Sequence, residues 1–158
     1  YSEVFEAVKR FADKKKQVYV EDLESLVLEE IFRIPDRYRL LYLSSLSGNM
    51  AIPTATLKME VGDNECQTAE FGVGPVDSVF NAIDNLVGES PNLLHFTVSS
   101  ITGGTDAQGE VTVKIEQQEQ TAIGRGSDAD IIVASAKAYI NALNRLARKE
   151  ERTIWDKI

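Results

Sequence analysis

Two Gly-x-Gly segments, Gly72-Val73-Gly74 and Gly124-Arg125-Gly126, each stand ahead of a helical pattern and are the residues best suited to hold a ligand. Glycines between a strand and a helix let the backbone turn tightly and present the unpaired amides of the first helical turn. Those amides, together with the helix dipole, favour a small anion such as a carboxylate. A dinucleotide is excluded: both copies lack the third glycine of that fingerprint, and Asp77 or Asp128 would repel a pyrophosphate. The glycines serve a plain strand-to-helix turn equally well, and Pro75 at the first helical position needs no further explanation. A second candidate is the run Thr102-Gly103-Gly104-Thr105-Asp106-Ala107-Gln108-Gly109, whose small residues could approach a ligand, cross a symmetry axis or make an ordinary hairpin.

Catalytic groups are scarce. His95 is the single histidine, lies within a strand pattern and has no metal-ligand spacing around it. Cys66 has no neighbouring histidine or basic cluster to lower its pKa, so it reads as an inert thiol. Glu29-Glu30 and the pair Glu116 and Glu119 look like solvated faces, and Ser44-Ser45 and Ser99-Ser100 lack a base. No acid, base or metal set emerges.

The elements that must position these glycines come as a repeat. Leu43-Ser44-Ser45-Leu46-Ser47-Gly48 matches Val98-Ser99-Ser100-Ile101-Thr102-Gly103, and Thr56-Leu57-Lys58-Met59-Glu60 matches Thr112-Val113-Lys114-Ile115-Glu116. Taking the two Gly-x-Gly segments as a third match, the order is kept, which points to one supersecondary unit used twice. Each copy predicts a strand (Arg39 to Leu46; Leu94 to Ile101), a second strand of alternating polarity, a hairpin through Gly62-Asp63-Asn64 or Gln117-Gln118-Glu119, and a third strand entering the glycine turn. A helix closes each copy. The first carries Val76, Val79, Phe80, Ile83 and Val87 on one face and stops at Gly88; the second runs from Asp128 to about Ala147. Ala134, Ala138 and Ala142 on this second helix, with Ile131, predict close packing against its own sheet and a partner chain, hence a dimer.

The fold class expected is therefore α+β: two pseudo-symmetric β-β-β-α units, over about 37–88 and 93–147, with a C-terminal helical tail. A small helical linker subdomain over 1–34 precedes this domain of 35–158, the boundary falling where Ile34-Pro35-Asp36 breaks the helical pattern. A chain of 158 residues can bury a real core, and 43% hydrophobic with 27% charged residues is globular composition. A formal net charge of -8 disfavours nucleic acid and anionic membranes as partners. No run is long and apolar enough to span a bilayer, and one cysteine suits a reducing cytoplasm. Tyr1 enters directly into a helical pattern without a start signal, which suggests a piece of a longer protein.

Three segments carry a resemblance: Gly72-Val73-Gly74-Pro75-Val76-Asp77, Gly104-Thr105-Asp106-Ala107-Gln108-Gly109-Glu110-Val111, and Gly124-Arg125-Gly126-Ser127-Asp128-Ala129-Asp130-Ile131-Ile132-Val133-Ala134-Ser135-Ala136-Lys137-Ala138-Tyr139. Together they resemble the C-terminal regulatory domain of 2-isopropylmalate synthases, with citramalate and homocitrate synthases more distant. The resemblance covers roughly Val18 to Leu146. It implies a feedback-regulatory, dimerising tail that binds leucine and inhibits at a distance. It also implies that the acetyl-CoA-condensing barrel, with its divalent metal, belongs to the parent protein, and that no cofactor belongs to this chain.

Carried onto this sequence, the effector site would fall on Gly72, Val73, Gly74, Pro75 and Val76. Leu93, Phe96 and Ser100 would form its apolar wall, with Ala107 and Gly109 in the small-residue loop. Phe96 stands where the family often has tyrosine, and Ser100 where it can have a small apolar residue. The alternatives are a citramalate-type domain binding isoleucine, a dimerisation module without a ligand, and a self-contained enzyme, the last disfavoured by the missing catalytic groups.

Overall fold

The computed structural model describes Val4 and residues 36–49, 51–100 and 107–156. Apart from Val4, the linker expected over 1–34 lies outside the described residues, as does the Thr102–Asp106 part of the small-residue loop. In chain order the elements are β1 (Tyr38–Gly48), β2 (Ala51–Val61), β3 (Asn64–Phe71), α1 (Pro75–Val87), β4 (Asn92–Ser100), β5 (Gly109–Gln117), β6 (Gln120–Asp128) and α2 (Ile131–Asp156). They form two antiparallel sheets, β1-β2-β3 and β4-β5-β6, each followed by its helix: the two β-β-β-α units that the repeat predicts.

The central strand of each sheet shows why. Ala55, Leu57 and Met59 on β2, and Val111, Val113 and Ile115 on β5, alternate with polar residues and are fully buried. A period of two can bury one face only, so each sheet needs a cover on that face. Helix α1 covers the first sheet with Val79, Phe80, Ala82 and Ile83; α2 covers the second with Ala134, Ala138, Ala142, Leu143 and Leu146. Both hairpins have two-residue loops: Gly62-Asp63, with Gly62 at φ 62°, and Gln118-Glu119, at φ 51° and 65°. Positive φ suits the twist of the flanking strands, and in the second loop two non-glycine residues carry it.

Helix starts and stops follow local chemistry. Pro75 opens α1 and Gly88, in the left-handed region at φ 79°, closes it with its amide on the Asp84 carbonyl. Asp130 caps α2 by accepting the Ile132 amide at 2.8 Å, so α2 begins three residues later than Asp128. It also continues past Ala147 to Asp156, absorbing the separate C-terminal tail into one helix.

Two sequence expectations are corrected. Gly124 and Gly126 do not form a turn; both lie inside β6, paired with Val113 and Val111. There they admit the backbone of α2: a Cβ on Gly124 would lie 2.1 Å from the Ala138 carbonyl oxygen, and one on Gly126 would lie 2.4 Å from that of Ala134. The alanine stripe has the same cause. Ala134, Ala138 and Ala142 are fully buried against the chain's own sheet, so they supply no surface for a partner chain.

The two units are locked together through the helices. Tyr139 of α2 stacks on Phe80 and donates its hydroxyl to Asp84, both on α1. Farther along α2, Asn144 binds the backbone of Arg37 and Tyr38, and Arg148 pairs with Asp36. This order of contacts makes α1 and α2 run in the same direction, with both N-termini at one end of the molecule.

Candidate functional site

That shared end collects most of the expected binding residues. Strand β3 delivers the chain into Gly72, whose amide still completes the ladder by donating to the Pro53 carbonyl at 3.0 Å. A Cβ on Gly72 would meet the Ser78 amide nitrogen at 2.3 Å, so glycine is required for the tight return into α1. Gly74 is extended (φ -148°) and open on its Cβ side. The Val73 amide donates to the Asp77 carboxylate at 2.8 Å, and the Ser78 amide to the Gly74 carbonyl at 3.0 Å. The amides of Val76 and Asp77 lack acceptors within the helix by its geometry, and they point out of its N-terminus. The anion-binding capacity therefore rests on Gly74, Val76 and Asp77, with Gly72 in a structural role. Val73 is 95% exposed, whereas Val76 packs against the core.

Across from α1 lies β4, an edge strand whose helix-facing residues are covered incompletely. Leu93, Phe96 and Val98 pair with the buried Ile115, Val113 and Val111, yet remain exposed, Phe96 at 37%. Phe96 meets Phe80 of α1 edge-on, with ring centroids 6.1 Å apart. From that contact, Val76 lies one helical turn, about 6 Å, toward the shared end, and Val98 about 7 Å along β4 in the same direction. Val98, Ser99, Ala107, Gln108, Gly109 and Ile131 line a cleft of about 280 Å³ there, close to the lower range of small-ligand sites. At Gly109 the tip of the Ile131 side chain lies where a Cβ would stand, 2.1 Å away, so a larger residue there would have to displace that side chain.

The structure thus places Ala107 and Gly109 on one cleft with Val98, and Ser100 paired to Gly109; Phe96 lies two residues back along β4, and Val76 one helical turn from Phe80 on α1. It does not bring Leu93 there: Leu93 pairs with Ile115, six residues from Gly109 along β5, or about 20 Å away. Sequence reasoning missed Phe80, Val98 and Ile131. Val98 carried a usable signal, since it alternates with Phe96 on the same face.

Other surfaces carry different chemistry. The opposite face of the second sheet holds a cavity of about 340 Å³ lined by His95, Thr97, Thr112, Lys114, Ile123 and Arg125, remote from the helix N-termini. Among the described residues no group of three or more His, Cys, Asp or Glu could hold a metal ion. No described helix is long and apolar enough to cross a membrane.

A shallow polar cavity beside α1 contains Glu70, Asp84 and Glu89. Burial pushes the Asp84 carboxyl up to about 6, against the lowering effect of hydrogen bonds from Tyr139 and Ser90. Burial, with the bond to Asp84, raises the Tyr139 phenol as well. An unfolded aspartate titrates near ~4, so the native state binds this proton more tightly than the unfolded chain. The stability it contributes is complete below about pH 4, falls as pH rises through about 6, and is level above. Asp84→Asn should remove that slope. Solvent screening of this half-buried group reduces the effect to on the order of 1 kcal/mol. Urea midpoints of wild type and variant between pH 4 and 7.5 would test this; parallel curves would contradict it.

The chain matches the LeuA allosteric (dimerisation) domain over residues 17–147. It is 59% identical over 149 residues to the 2-isopropylmalate synthase of Nitratidesulfovibrio vulgaris, covering 94% of this chain and 29% of that protein. It is 54% identical over 145 residues to that of Syntrophus aciditrophicus, covering 92% and 28%, and 45% identical over 150 residues to that of Aromatoleum aromaticum, covering 94% and 29%. It spans less than a third of the length of these curated relatives.

Proposed function

The chain belongs to the LeuA allosteric (dimerisation) domain family, and from that premise we propose that it is the feedback-regulatory part of a 2-isopropylmalate synthase and binds leucine. The observation that carries the reading is the convergence at one end of the α1 N-terminus, the half-exposed Phe96–Val98 wall and the small-residue cleft at Ala107 and Gly109. A free amino acid needs an anion seat and an apolar pocket side by side, and this end offers both. Leucine's carboxylate sits on the amides at Gly74 and Val76, within the segment Gly72, Val73, Gly74, Pro75 and Val76. Its side chain lies against Phe96, with Ala107 and Gly109 closing the cleft; Leu93 extends the apolar wall farther along β4.

The parent condenses acetyl-CoA with 2-oxoisovalerate in a catalytic barrel that carries the divalent metal, works in the cytoplasm, and is a homodimer. Leu46, Ile52, Phe71 and Val73, exposed where the first unit's strands end and α1 begins, give a second copy an apolar surface to cover. This replaces the alanine face of α2.

Gly74→Asp tests the anion seat. The position is open and needs no positive φ, so the fold should persist. The added carboxylate would repel leucine's own, and affinity should fall at least tenfold, about 1.4 kcal/mol. Calorimetric titration with unchanged leucine affinity would refute the placement. Wild-type titrations with leucine and isoleucine side by side separate the isopropylmalate from the citramalate reading, and no heat with either leaves a dimerisation module.

A further inference from the structure

Three aromatic rings join the proposed effector wall to the contact between the two units. Phe96, on β4 of the second unit, meets Phe80 of α1 in the first unit at 6.1 Å with the rings 66° apart. Phe80 stacks on Tyr139 of α2, back in the second unit, at 4.3 Å and 15°. The Tyr139 hydroxyl donates to Asp84 on α1 at 2.6 Å. The path crosses between units three times and runs from a ring that is 37% exposed to one that is 2% exposed. Close-packed rings have no free volume to move separately, so a displacement at one end must be taken up by the next.

We propose that Phe80 is a positioning residue of the effector pocket. It sets the angle of the Phe96 ring and carries the pocket's occupancy to the α1–α2 joint at Tyr139 and Asp84. The inference rests on the leucine-binding reading above. A ligand lying on Phe96 presses that ring onto Phe80, and Phe80 can respond only by changing its stack with Tyr139. The joint and the pocket are then thermodynamically coupled: the factor by which bound leucine favours the intact joint equals the factor by which the intact joint favours leucine binding.

Two variants test this in the 158-residue chain, with leucine as the probe and calorimetry run beside hydrogen–deuterium exchange of α1. In wild type, leucine should give binding heat and slow exchange across Pro75–Val87. Phe80→Leu should weaken leucine about tenfold and abolish the slowing in α1. Tyr139→Phe keeps the stack and removes only the hydroxyl, so it should fold even if Phe80→Leu does not. It should weaken leucine about threefold and abolish the slowing around Asp84. A purely structural effect would speed exchange equally with and without leucine. Wild-type-like affinity together with unchanged leucine-dependent protection in Tyr139→Phe would overturn the proposal. Absence of heat in wild type would instead remove the leucine-binding reading, and this inference with it.

Discussion

Alanine at Gly124 or Gly126 is expected to cost the domain about 3 kcal/mol or more at each site, and the double substitution is expected to abolish cooperative folding. At Gly124 the added methyl would lie 2.1 Å from the Ala138 carbonyl oxygen and 2.4 Å from the Ala142 nitrogen. At Gly126 the corresponding distances are 2.4 Å to the Ala134 oxygen and 2.5 Å to the Ala138 nitrogen. These are backbone atoms of a helix, so no rotamer change relieves the overlap; α2 must lift from β6 by about 1 Å, opening gaps along the rest of the contact. Overpacking of flexible side chains costs roughly 1–3 kcal/mol, and a rigid helix stands at the upper end or beyond. Against a total stability of about 5–15 kcal/mol, two such losses approach the whole. Gly48→Ala is the control, because nothing lies within 4 Å of its Cβ. Urea unfolding followed by circular dichroism would decide it: losses below 1 kcal/mol at both strand positions would mean that α2 does not sit on β6 this closely.

The second large effect belongs to Asn144. Its side-chain oxygen accepts the amides of Arg37 and Tyr38 at 3.0 and 2.8 Å, and its nitrogen donates to the Tyr38 carbonyl at 2.9 Å. One side chain on α2 thus completes the hydrogen bonding at the start of β1, more than 100 residues away in sequence. Asn144→Leu preserves bulk but leaves these backbone groups without that partner. Each buried unpaired group costs about 1–3 kcal/mol, so a loss of about 3–5 kcal/mol is expected. Amide exchange at Arg37 and Tyr38 should accelerate while β5 stays protected. A uniform change across both sheets would show that the first strand is held by something other than this asparagine.

Much of this architecture is legible in the residues. The strands Thr56–Glu60 and Thr112–Glu116 repeat at an offset of 56 with the same alternation, and a two-fold polarity pattern admits only a one-faced sheet. Pro75 and Gly88 bracket α1 because each restricts or permits backbone angles locally. The glycine pairs were harder. Gly72 and Gly124 stand 52 positions apart, four short of the strand offset, and that discrepancy was the available sign that they are not equivalent. Glycine answers two needs, a tight turn and the close approach of another element, and its type does not say which.

Local propensity and periodicity, properties of neighbouring residues, determined the strands, the helices and their count of two units. Tertiary contact alone decided that Gly124 and Gly126 admit α2, that the alanine stripe turns inward, that Leu93 stands about 20 Å from Gly109, and that Phe80 and Tyr139 link the units. Each of these depends on residues far apart in the chain meeting at particular distances. Sequence separation carries no such distance until both sheets, and the helices upon them, are packed.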